Sequence, residues 1–93
     1  MSLEALVSRY ISSAEQVLGA LERVNEPSAV IAKSVDAVLE CVSDYLEDAK
    51  YYKAQRRFET SLTSVAYSEG LLDALRLLGL VKFEWPTKPK NEH

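Results

Sequence analysis

Leu3, Val7, Tyr10, Ile11, Ala14, Val17, Leu18, Leu21 and Val24 fall on one side of a helical wheel, and Glu4, Ser8, Ser12, Glu15, Gly19 and Glu22 on the other. This pattern predicts an amphipathic first helix over residues 3–24. It should end near Asn25, which tolerates the left-handed conformation of helix ends, with Pro27 suited to the first turn of the next helix.

The second stretch carries the strongest periodicity. Ile31, Val35, Val38, Val42, Tyr45, Ala49 and Tyr52 follow one another at alternating steps of four and three, a heptad seam, with Ala32, Leu39 and Leu46 widening one flank. A long helix over 28–53, packed against two neighbours, follows. The seam would next need apolar residues at positions held by Arg56, Glu59 and Thr63, so the chain is expected to turn between Ala54 and Arg57. No Gly or Pro marks that turn, and the alternative is one helix over 28–78, roughly 75 Å long, which a lone chain could not support.

A third helix over 57–78 aligns Ser61, Ser64, Val65, Ser68, Leu71, Leu72, Leu75 and Leu78 on one face. Closing a hairpin near residue 55 sets Tyr45 and Tyr52 of the second helix opposite those serines, and its valines opposite the leucines, so large residues meet small ones. Gly79 stands where a left-handed helix cap favours glycine. Beyond it Val81, Phe83 and Trp85 alternate with Lys82 and Glu84 in an extended tail over 80–85 that Pro86 ends, and polar residues to His93 are expected to fray. The fold class is therefore all-α: an up-and-down three-helix bundle with a short extended C-terminal tail, one domain over residues 1–85 and a flexible end over 86–93.

Length and composition narrow the picture. Ninety-three residues make one domain, burying about 60–65% of its unfolded surface, so most apolar side chains are committed to a core. The net charge of −3 is spread along the chain and favours no polyanion partner. Cys41 is the only cysteine, which excludes an intrachain disulfide, and the longest apolar run is far too short to cross a bilayer. Glu4 and Arg9 interrupt any leader-like start. A cytoplasmic protein without membrane attachment is the expectation.

The stretch "YLEDAKYY", followed after a short interval by "SLTSVAYSEGLLDALRLLGLVKFEW", resembles a family of short archaeal proteins catalogued as domain of unknown function 357. The likeness spans residues 45–85 and is most specific at "AYSEGLLDALRLLGLV". It implies a small up-and-down three-helix bundle and carries no assigned activity or catalytic residues. The family often places a Gly-Asp pair at the turn between the second and third helices, where this chain has Ala54, Gln55, Arg56 and Arg57.

Candidate chemistry is sparse. His93 is the only histidine and the last residue, which disfavours imidazole bases and histidine metal sites, and a lone Cys41 reads as core filler. Glu69, Asp73 and Arg76 share a helical face at spacings of four and three. They could hold Mg²⁺ and a phosphate, but an ion pair with a carboxylate bonded to Tyr10 or Tyr67 is the favoured reading. Asp36, Glu40, Asp44, Glu47 and Asp48 make an acidic solvated face on the second helix. "KYYKAQRRF" at 50–58 brings Lys50, Tyr51, Lys53, Arg56 and Arg57 into a basic corner. Tyr52 and Phe58 are needed across the hairpin, leaving Tyr51 as the one ring free to stack on a base, so corner packing outweighs nucleic-acid binding.

Val81, Phe83 and Trp85 cannot all stay exposed, so the tail either covers its own bundle or meets another chain. The expected function is a non-enzymatic, cofactor-free protein-interaction or accessory module, with a protein partner or a homo-oligomer. The alternative is an RNA- or DNA-binding accessory acting through the basic corner.

Overall fold

In a computed structural model the chain forms α1 (Leu3–Ala20), β1 (Glu22–Arg23), α2 (Ala29–Ala54), α3 (Phe58–Leu77) and β2 (Val81–Lys82). The described residues are 1–26 and 28–86; Pro27 and the predicted flexible end from residue 87 onward lie outside them. The three helices run up, down and up. Glu4 at the start of α1 pairs with Arg56 just past the end of α2, and Glu15 farther along α1 pairs with Lys50 earlier in α2, while Val35 and Leu75 share a cluster at the other end of the α2–α3 hairpin.

Local signals place the helix ends. The Ser2 hydroxyl accepts from the Ala5 amide (3.0 Å) and that of Ser28 from the Ile31 amide (3.2 Å), each satisfying a donor that the helix cannot. Gly79 (φ 76°) caps α3: its amide donates to Arg76 and that of Leu80 to Leu75, a Schellman pair. The turn after α2 has the same geometry, with the Arg56 amide donating to Lys53 and the Arg57 amide to Tyr52. Here the left-handed position is Arg56 (φ 62°), which explains how the hairpin closes without glycine. An L side chain is strained there, so Arg56→Gly is expected to stabilise the fold by about 1 kcal/mol, read as a higher midpoint in urea.

The predicted extension of the first helix to residue 24 is corrected: α1 stops at Ala20, and Leu21 turns extended (ψ 151°). Glu22 then pairs with Lys82 and Arg23 with Val81 in an antiparallel ladder, and the Val24 amide donates to the Leu80 carbonyl. Those backbone groups gain partners for a tail edge that would otherwise stand open. Arg23 ties the ribbon to the start of α2 through Asp36 (2.5 Å), Glu26 (2.6 Å) and the Ala32 carbonyl (2.9 Å), and these bonds push its guanidinium pKa further up, Asp36 most.

The main core joins Val7, Ile11, Ala14 and Val17 of α1 to Val42, Leu46 and Ala49 of α2 and to Val65 and Leu72 of α3. Ser61 and Ser68 are fully buried where the hairpin helices approach, with the Ser61 hydroxyl donating to the Ala49 carbonyl (2.6 Å) and that of Ser68 to Val65 (3.0 Å). The Cα trace measures 44 × 33 × 16 Å, thin enough for two helix layers. One layer is the α2–α3 hairpin and the other is α1.

Candidate interaction surface

The heptad seam of α2 is unevenly covered. Its alternate members Val35, Val42 and Ala49 are buried, whereas Ile31, Val38, Tyr45 and Tyr52 are half-buried. The uncovered row drifts toward the side of the hairpin turned away from α1, since Leu46 and Lys50 occupy the side that meets α1.

On that open side Tyr45 and Tyr67 meet edge to face across the hairpin, ring centroids 4.4 Å apart. Along α2 from this pair lie Cys41, Ala37, Ser34 and Val30, all exposed and none charged. Along α3 lie Leu71, Ala74 and Leu78, at steps of four, three and four from Tyr67. Val30 is 72% exposed, Leu78 70% and Tyr67 53%. Asp48 closes the uncharged region at the turn end. Cys41, expected as core filler, is corrected to exposed: it directly precedes the buried seam residue Val42, about 100° from it around the helix, and so points past the core.

The residues singled out as an interaction tail go elsewhere. Val81 is 3% exposed against Val35 and Leu75, and Phe83 and Trp85, rings edge to face at 5.1 Å, pack half-buried on the main core. The polar cluster holds the tail there. Trp85 Nε1 donates to Asp73 Oδ1 (2.9 Å), and Arg76 donates to the same oxygen (3.1 Å) while its guanidinium lies 5.7 Å from the Phe83 ring centre. Asp73 thus takes a tryptophan rather than a tyrosine as partner. Glu69 lines the adjoining cleft of about 290 Å³ with Tyr10, Ser13 and Trp85. Trp85 brings an N–H that burial obliges to find an acceptor, a signal legible in the sequence, but which carboxylate answers it depends on where the tail lies.

The basic corner is partly consumed by the fold. Lys50 pairs with Glu15 of α1 and with Glu47 (3.2 Å), which raises its ammonium pKa, Glu15 contributing most. That tether is complete below the ordinary lysine value and is lost only as pH rises through the raised one. Arg56 lies 3.9 Å from Glu4 and over the Phe58 ring, and Arg57 lies over Tyr52. Tyr51 is exposed and packs edge-on to Tyr52. Lys53 and Arg56 line a groove of about 580 Å³ whose other wall carries Glu4 and Glu15, so its charge is mixed.

Among the described residues no group of three or more His, Cys, Asp or Glu is arranged to hold a metal ion. No helix among the described residues is long and apolar enough to cross a membrane. Comparison with curated proteins finds no match, and comparison with solved structures finds none. The sequence pattern of the family described as protein of unknown function, DUF357, matches residues 9–81, which take in all of α2 and α3, most of α1 and the first residue of β2. The three-helix chain with its open hairpin face therefore belongs to the DUF357 family.

Proposed function

We propose that this protein is a protein-interaction module that acts by contact rather than by catalysis, and that its contact surface is the open face of the α2–α3 hairpin. The observation that carries this reading is the half-covered heptad seam flanked on both helices by uncharged exposed residues. In a chain with 27% charged residues, such a face is the one least suited to water. The tail, the other apolar candidate, is spent on the chain's own core, and the carboxylate that would serve a metal-dependent reaction is spent on holding the tail. A nucleic-acid reading is weaker, because Lys50 and Arg56 face carboxylates of α1.

The test uses wild-type protein and an Ala74→Glu variant as baits in extract of the cells the protein comes from, with untagged copies of the same chain added. Wild type should retain a protein through a high-salt wash and the variant should lose it, since a charge on a desolvated apolar contact is costly. Equal retention by the two baits would sink the proposal, as would capture of nucleic acid alone that washes away as salt rises.

A further inference from the structure

We infer that the partner covering this face is a second copy of the chain, the two α2–α3 hairpins packing face to face into a four-helix core with both α1 helices outside. The inference rests on the contact reading above and names its occupant.

Charge selects the face for self-pairing. Two copies each carry −3, and Glu40, Asp44 and Glu47 make the outer side of α2 acidic, so approach through that side sets like charges together. From Val30 to Cys41 and from Tyr67 to Leu78 the open face presents no charge, and Asp44, seven residues after Ala37, stands at its rim. A charged partner would find nothing there to pair with. An identical face meets it with no unpaired charge on either side.

Size and spacing agree. The face runs about 22 Å along α2 and is two helices, about 20 Å, wide, so two copies would bury on the order of 1,000 Å² together, the lower bound of a specific interface. Its steps of four and three are those by which helices interlock side chains in four-helix bundles. A two-fold axis through the middle of the face, near Ala37 and Ala74, sets the Tyr45–Tyr67 pair of each copy on the small and aliphatic end, Ser34, Val30 and Leu78, of the other. The closed pairing completes the seam row that a single chain leaves half-covered.

Sedimentation velocity on the full chain across a range of concentration tests this. Wild type should approach about 21 kDa, twice the 10.4 kDa of one chain. Ala74→Glu and Ala37→Glu should weaken association by roughly tenfold or more, while Ala66→Glu, exposed on α3 but off the face, should leave it unchanged. All three replace an exposed helical alanine with another good helix former, and circular dichroism checks that each stays folded. Wild type remaining at 10.4 kDa into the high-micromolar range overturns the second copy, as does an Ala66→Glu variant that dissociates as fully as Ala74→Glu. If that monomer still captures a foreign protein that Ala74→Glu loses, self-pairing fails and the contact reading stands; if it captures none, both fail.

Discussion

Ending the chain at Leu80 should remove about 5 kcal/mol of stability, close to the whole margin of on the order of 5–10 kcal/mol available to a domain of this size. The deletion strips Val81, fully packed between Val35 and Leu75, and the half-buried rings of Phe83 and Trp85. It also leaves Glu22 and Arg23 of β1 without their ladder partners Lys82 and Val81. Far-ultraviolet circular dichroism in urea would read the loss as a large drop in midpoint or as a chain unfolded in buffer. A graded pair of variants keeps the measurement interpretable if the deletion does not fold. Trp85→Ala should cost about 2 kcal/mol through lost packing, and Asp73→Ala about 1 kcal/mol through the lost acceptor of Nε1, with the single tryptophan's emission shifting to the red. If the deletion melts like wild type, the tail is no part of the core and is again available to another chain.

Leu72→Ala should cost about 3–4 kcal/mol, because Leu72 has no exposed surface and sits where all three helices meet, so its removal opens a cavity that neighbours on rigid helices cannot close. Leu78→Ala should change stability by no more than about 0.5 kcal/mol, since Leu78 is 70% exposed. Equilibrium urea unfolding of the two variants at a concentration where the chain is monomeric makes the comparison. Equal costs would mean that the face with Leu78 is already covered within one chain, and the contact surface proposed above would lose its basis.

These two leucines show where one sequence pattern stops being informative. Residues 71–80 contain six leucines, a run in which nearly every helical face is apolar, so periodicity alone cannot say which face is inside. Packing against α1 and α2 selects Leu72 for the core, packing against Val35 and the tail residue Val81 selects Leu75, and Leu77 and Leu78 are left in solvent. The end of α1 was ambiguous for a similar reason. Leu21 and Val24 are three apart, a spacing that continues a helical stripe, and the pairing of residues 22–24 with the tail, some sixty residues away, overrides it. The basic corner is a third such case: its cations Lys50, Lys53, Arg56 and Arg57 lie close together in the chain, but the carboxylates Glu4 and Glu15 that answer Arg56 and Lys50 lie on another helix.

What the chain's own order of residues determined is everything local in cause. The heptad steps of α2 made a long helix, the broken phase after Tyr52 made a hairpin, and glycine at 79 made a helix stop, because each depends on side-chain period or on backbone freedom within a few residues. Only the tertiary structure decided which half of the α2 seam is covered, that Asp73 holds Trp85, and that the tail closes its own chain while the hairpin keeps an open face. Each of these turns on which distant elements come together, and burial, unlike helical period, is a property of the assembled molecule.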